Sequence, residues 1–261
     1  YLAGGAIYPM PLLAENAFLP VFADILLDIL SKSKMMVLSY PHNPTTAIAP
    51  LTFFNQAVNF CRQHNLVLVH DFPYVDLIFD SQVFAPSILQ ADPQKELSIE
   101  FFTLSKSYNM GGFRIGYAIG NPSLIQALRQ IKAVVDFNQY RGILTGAIAA
   151  LSSSPESVAQ TVHTFQQRRD VFIQALQEIG WSVPSPSATM YIWAKLPKPW
   201  QHNSVDFCTK LVAQTGVAAS PGAGFGQAGE GYVRFALVRD PDTLRHAAQK
   251  IQQFLQTSPK S

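Results

Sequence analysis

A strand–helix–strand pattern near the N-terminus constrains this chain more than any other feature. Met35 to Ser39 is a short apolar run. Pro50 then opens a helical stretch to about His64, since proline suits the first helical position. Leu66 to His70, Leu-Val-Leu-Val-His, is an uninterrupted apolar run, as expected of a strand covered on both faces. Two strands joined by one helical crossover run parallel, so the chain is expected to build a parallel sheet. Further strands are expected at Ser98 to Leu104 and Ile115 to Ile119. The gap between them is too short for a helical crossover, so this pair is expected to be antiparallel if adjacent.

Helices are expected from Pro122 to about Phe137, Gly142 to Ala150 and Pro155 to Ile179. A Pro- and Ser-rich stretch follows, Trp181 to Leu196, with a strand at Met190 to Ala194. A helix at Ser204 to Thr215 and a strand at Tyr232 to Val238 come next, and Asp240-Pro241 caps and opens a last helix to about Leu255. The expected fold class is therefore α/β: a three-layer, mostly parallel sheet, then a smaller C-terminal α/β domain. The boundary falls near residues 150–165, which divides the chain into 1–155 and 156–261. The chain starts at Tyr1, without Met, inside what reads as continuing structure. An N-terminal truncation is expected.

Composition removes several function classes. Lys plus Arg is 19 and Asp plus Glu is 17, a net charge of +2, which offers no field for nucleic acid and no polybasic membrane patch. The apolar stretch Ala17 to Leu30 is broken by Asp24 and Asp28, so no run reaches transmembrane length. Cys61 and Cys208 form no metal or disulfide framework, and the six histidines are scattered, so no metal site is expected. Cytoplasm is the default location. Phe53, Phe54, Phe60 and Cys61 read as core on a helix face.

Chemistry concentrates in Thr103-Leu-Ser-Lys106-Ser-Tyr-Asn-Met-Gly-Gly-Phe-Arg114-Ile-Gly116. A lysine follows a strand with hydroxyls on both sides, and an arginine stands eight residues later behind two glycines. Thr103, Ser105 and Arg114 can donate to an anion, and Gly111-Gly112 lets backbone come close, so a phosphate site beside an amine is one reading. A surface lysine in a Ser-rich turn is the other. Three more segments carry polar residues at expected strand ends or on a strand. Tyr40-Pro-His-Asn43-Pro44-Thr-Thr follows the first strand, and His70-Asp71-Phe-Pro-Tyr74 ends the second. Taken alone, the first is an ordinary Asn-Pro turn and Asp71 a loop acid or helix cap. Asn43, Asp71 and Lys106 nevertheless each follow the carboxyl end of a strand, where open α/β sheets bind ligands. The last segment is Gly222-Ala-Gly-Phe-Gly-Gln-Ala-Gly229-Glu-Gly-Tyr-Val-Arg234. Its G-x-G-x-x-G spacing does not mark a dinucleotide site, because a strand follows rather than a helix.

These segments resemble the class I/II aminotransferases of the fold type I pyridoxal-phosphate enzymes, along the whole chain and nearest to bacterial aspartate-, alanine- and diaminopimelate-type members. The resemblance implies pyridoxal 5'-phosphate as cofactor, with Lys106 carrying it covalently as the catalytic amine. Arg114, Thr103 and Ser105 would hold its phosphate, Asp71 its pyridine nitrogen, and Asn43 and Tyr74 its phenolic oxygen. Thr103 stands where serine or glycine is usual, and Thr46 where glycine is usual. Arg234 would bind the substrate carboxylate as a planar fork beside Asn43. The implied activity moves an amino group between an L-amino acid and a 2-oxo acid, in a homodimer when full length. Alternatives remain open: another reaction on the same scaffold, such as a β-lyase or synthase, or a non-catalytic fragment or sensor half of a regulator. Tyr140 and Arg141 would line the substrate side or a subunit interface.

Overall fold

A computed structural model describes residues 4–80 and 82–257, so the chain start at Tyr1 lies outside the described residues. Helix α1 (Leu27–Lys32) leads into strand β1 (Met35–Ser39), helix α2 (Leu51–Gln63) and strand β2 (Val67–Asp71). A short helix α3 (Ile88–Ala91) precedes β3 (Ser98–Thr103) and β4 (Gly116–Gly120). The four strands form one sheet in the order β1-β2-β3-β4. β2 runs parallel to both β1 and β3, while β4 runs antiparallel to β3 with Thr103 opposite Gly116. Both expectations about strand direction hold, for the stated reason: a helical crossover brings the chain back to the same end, and the short β3–β4 loop cannot.

Helix α2 buries Phe53, Phe54, Ala57, Val58 and Cys61, which recur at helical spacing and so share one face. That face packs with Leu38, Leu66, Leu68 and Ile88 into a first core. Burial pushes the Cys61 thiol up to about 12, as befits a core cysteine rather than a reactive one. Phe60 is only partly buried and stacks on Phe22. Pro50 is the residue before the helix, not its first residue, because its ψ of 160° is still extended. α1 and α3 have no counterpart in the sequence expectations, since helices this short show no periodicity.

Helices α4 (Pro122–Val135), α5 (Arg141–Leu151) and α6 (Glu156–Glu178) follow. α4 stops at Val135 rather than near Phe137, where the backbone turns left-handed at φ 60°. The rest comprises β5 (Tyr191–Lys195), α7 (Ser204–Thr215), the two-residue β6 (Ser220–Pro221), β7 (Tyr232–Ala236) and α8 (Pro241–Thr257). β7 lies between β5 and β6, antiparallel to both. β7 ends at Ala236, two residues short of expectation. Asp240 caps α8, accepting from the Thr243 amide at 2.9 Å. The second core gathers Phe172, Leu176, Trp181, Ile192, Phe207, Val233 and Phe254, and it also takes in Tyr74, Leu77 and Phe79 from the segment after β2. That segment therefore leaves the first sheet and enters the second core, which brings the β2 end towards β7. Among the described residues no helix is long and apolar enough to cross a membrane, and no group of residues could hold a metal ion.

Candidate active site

β1, β2 and β3 are parallel neighbours, so their carboxyl ends open on one edge of the sheet. Asn43, Asp71 and Lys106 lie just beyond or at those three ends. Asn43–Pro44 is cis, and so is Tyr40–Pro41. Thr46 takes the left-handed backbone region at φ 65°, which glycine adopts without strain, and its N–H still reaches the His42 carbonyl at 2.8 Å. The threonine has thus kept the turn at a local conformational cost.

Arg234 is the best-fixed candidate. One end of its guanidinium donates to Asn43 Oδ1 at 2.7 Å and the other to the Ser220 hydroxyl at 3.2 Å. Its central carbon sits 4.3 Å from the centre of the Tyr191 ring and 4.6 Å from that of Phe225. Two aromatic faces and two hydrogen bonds leave such a group little freedom. Its Nε is buried and has no acceptor among the described residues. The glycine loop before β7 is held by backbone packing: a Cβ on Gly222 would stand 1.9 Å from the Gly229 carbonyl oxygen. Only glycine permits that approach. The loop itself winds through two 3-10 turns, Gly222–Phe225 and Gln227–Gly229, and leads into β7, so its glycines introduce no α-helix N-terminus of the dinucleotide kind.

Tyr74 donates its hydroxyl to Tyr191 at 3.3 Å. Burial, and then that hydrogen bond, push the Tyr74 phenol well above its usual range, while the positive charge of Arg234 works against the rise. The negative charge of Asp71 adds to it, so Asp71, Tyr74 and Arg234 sense one another. Asp71 is solvent-facing at the β2 end, yet the surrounding protein pushes its carboxyl above the usual range, opposed by the neighbouring His70. Asn43, Tyr74, Arg234 and Asp71 therefore form one group, drawn from both sheets.

The β3–β4 loop forms a second group. The Thr103 hydroxyl donates to Ser105 Oγ at 2.9 Å, and the Ser105 amide donates back to Thr103 Oγ1 at 3.1 Å. Arg114 is exposed, left-handed at φ 52°, and donates to the Gly111 carbonyl at 3.0 Å. Lys106 is half-buried, and its ammonium has no hydrogen-bond or ion-pair partner among the described residues. No hydrogen bond among the described residues links this loop to the Asn43–Arg234 group. Tyr140 and Arg141 lie exposed at the start of α5, away from both groups' hydrogen bonds. A cavity of about 370 Å3 between Trp181, Lys195, Pro197 and Leu255 contains none of the candidate residues. Nor does one of about 610 Å3 between Phe22, Phe53 and Phe60.

The sequence gives no signal for Ser220, Tyr191 or Phe225, which act on Arg234 only through the fold. His70 was visible as a polar residue closing an apolar strand, but its partner Glu100 was not.

Sheet order, strand-end polar residues and the two-sided grip on Arg234 put this chain among α/β proteins of the fold type I pyridoxal-phosphate class. The chain belongs to the class I and II aminotransferase family, whose profile matches residues 1–251. It is 45% identical over 254 residues to an LL-diaminopimelate aminotransferase of Dehalococcoides mccartyi, covering 97% of this chain and 64% of that one. It is 39% identical to a glutamate-pyruvate aminotransferase of Escherichia coli, covering 96% and 61%. Among solved structures it superposes on substrate-bound BacF from Bacillus subtilis with a TM-score of 0.90 at 35% identity, covering 95% of this chain and 62% of that one. A probable N-succinyldiaminopimelate aminotransferase from Thermus thermophilus gives 0.86 at 38%, covering 94% and 65%. The chain thus spans somewhat less than two thirds of the length of these relatives.

Proposed function

We propose that this chain carries the lysine, the cofactor-facing residues and the carboxylate-binding arginine of a pyridoxal-phosphate-dependent aminotransferase that moves an amino group between an L-amino acid and a 2-oxo acid. The observation that carries most weight is the 2.7 Å bond between Arg234 and Asn43 Oδ1. A guanidinium only donates, so it fixes the amide with Oδ1 towards the arginine and its NH2 turned elsewhere, free to donate to a phenolic oxygen. One amide then faces both substrate and cofactor. Relatives that bear aminotransferase names favour amino transfer over the β-lyase, synthase and sensor alternatives.

The residues present fit pyridoxal 5'-phosphate. Lys106 offers an amine without a competing partner, Thr103, Ser105 and Arg114 offer anion donors on one loop, and Asp71 offers an acid for a protonated ring nitrogen. The cofactor, when bound, supplies an electron sink for bond breaking at the amino acid's Cα. Lys106 would hold it covalently and, as a free amine, would move the Cα proton as base and then as acid. Asp71 would pair as a carboxylate with the protonated ring nitrogen, and its raised proton affinity in the free chain would fall once that cation faced it. Asn43 would donate to the phenolic oxygen, as would Tyr74 once its hydroxyl turns from Tyr191, and Arg234 would orient the substrate carboxylate.

The division into 1–155 and 156–261, the cytoplasmic location and a homodimer of the full-length protein belong to the same reading. The exposed apolar side chains of α4, α5 and the turn between them, including Val134, Val135, Phe137 and Ile148, support a covered face there. Borohydride reduction of the cofactor-loaded chain, followed by peptide mapping, tests the central assignment. The label is expected on Lys106, and Lys106→Ala should retain the cofactor only non-covalently. A label on another lysine would refute the assignment. A panel of amino donors, followed by the cofactor's absorbance, then identifies the substrate.

A further inference from the structure

A polar tie crosses the first sheet just behind the candidate site. His70 on β2 and Glu100 on β3 are register partners, and both side chains are wholly buried. His70 Nδ1 lies 2.7 Å from Glu100 Oε1. The same carboxylate accepts from the Ile88 amide at 2.8 Å and from the Ser87 hydroxyl at 2.5 Å, so both oxygens face donors. On the far side of the ring, His70 Nε2 lies 3.2 Å from the Tyr40 amide nitrogen and 3.1 Å from the Tyr40 carbonyl oxygen. Phe54 and Phe72 pack on the imidazole, with ring centres 4.8 and 4.7 Å away.

Cohesion of the sheet does not require such a pair. The cost of desolvating two buried polar partners offsets most of their attraction, and apolar residues of the same shape would serve the core as well. What the pair does, and Leu or Phe could not, is fix hydrogens. A carboxylate only accepts, so it holds a proton on Nδ1 and turns Nε2 to the Tyr40 peptide, whose amide and carbonyl both stand within hydrogen-bond reach. Tyr40 directly follows β1 and stands three residues before Asn43; His70 immediately precedes Asp71; Glu100 stands six residues before Lys106. The tie therefore joins the three strands at the point where each delivers a candidate residue.

We propose that Glu100 and His70 are positioning residues of this site: Glu100 holds the Nδ1 proton and so the orientation of the His70 ring, and His70 holds the Tyr40 peptide from which the Asn43 segment springs. The inference rests on the role given above to Asn43 and Arg234. Through it, the Asn43 amide keeps its register against the Arg234 guanidinium.

The test combines 15N NMR of the His70 ring and the Asn43 side-chain amide in the cofactor-free chain with titration of the pyridoxal-phosphate-loaded chain with L-alanine. Wild type should carry the His70 proton on Nδ1. Glu100→Gln keeps the shape and an accepting oxygen, so it should keep that proton and bind L-alanine as wild type does. Glu100→Leu keeps the volume and removes the acceptor. It should lose the fixed Nδ1 proton, shift the Asn43 amide resonance and weaken L-alanine binding roughly tenfold, the low end of what removing the partner that orients a metal-ligating side chain costs. Should Glu100→Leu not fold, His70→Phe takes its place, since Phe54 and Phe72 already surround that ring. An Asn43 resonance that neither substitution moves overturns the proposal, as does weakened binding that only tracks a lowered Tm, or unfolding of both variants. If wild type takes up no cofactor, the functional reading fails by itself, and the Asn43 resonance still decides the positioning claim.

Discussion

The C-terminal sheet is closed by its helices, with α8 packed against both α6 and α7 and a continuous aromatic core beneath them. The four-stranded sheet is not closed to the same degree: β1 stands at its edge, with Met35 and Val37 each more than half exposed. The two regions share a similar alternation of strand and helix, yet they use it differently. In the second, Trp181, Trp200 and Phe254 all meet Phe207 edge-on or nearly so, and the packing itself is the product. In the first, polar groups are buried in the sheet, Glu100 and His70, or at its margin, Asp92 at the end of α3, and the chemistry-bearing loops hang from its carboxyl edge. The closed unit supplies a rigid strand for Arg234, and the open one supplies the loops that meet it.

Phe207→Ala should break this contrast most. The side chain is fully buried at the centre of the aromatic cluster, so the cavity should cost about 3–5 kcal/mol, read as a lowered urea midpoint. A loss under about 1 kcal/mol would mean that the C-terminal core is loosely packed after all.

Asp92 tests the polar side of the comparison. Burial raises its pKa, but the Ser98 hydroxyl and the amides of Glu96, Leu97 and Ser98 together bring it below the usual carboxylate value. A lowered folded pKa means stability that is present above the unfolded pKa and is lost as pH falls through the folded one. Asp92→Asn should cost about 2 kcal/mol at neutral pH, and the gap to wild type should narrow below roughly pH 4. A pH-independent gap would show that the carboxylate's charge plays no part in holding the start of β3.

At the seam between the regions, Arg234→Lys keeps the charge but loses the fork and the stacking between Tyr191 and Phe225. Binding of an amino acid to the cofactor-loaded protein should weaken roughly tenfold, about 1.4 kcal/mol, with little change in Tm. Unchanged affinity would place the carboxylate elsewhere. The smallest effect is expected at the open edge. Val37→Lys replaces an exposed side chain, so stability should stay within about 0.5 kcal/mol, while self-association measured by light scattering should fall. A large loss of stability would mean that this edge is less open than its exposure shows.

Much of this was legible in the sequence, because it depends on residues close together in the chain. The apolar run around Leu68 and the two phenylalanines of α2 define a strand and a helix by their own periodicity, and the length of a connection decides whether the next strand runs parallel. Ends were off by a residue or two where one backbone angle decides them, as at Pro50 and Phe137. The glycine loop and the lysine loop showed their chemistry for the same reason, since each is a few consecutive residues.

What tertiary structure alone decided is who meets whom. Asn43 and Arg234 are 191 residues apart and are joined at 2.7 Å only because the segment after β2 carries the first sheet's carboxyl edge against the second core. Tyr191, Phe225 and Ser220 have no local pattern that marks them, yet they hold the guanidinium. Glu100 sits in the middle of β3, where pattern alone calls for an apolar residue, and becomes intelligible only opposite His70. Local periodicity fixes elements because neighbouring side chains share one backbone. A hydrogen bond between distant residues depends on the relative placement of whole elements, and that placement is set by the summed packing of the chain rather than by any segment of it.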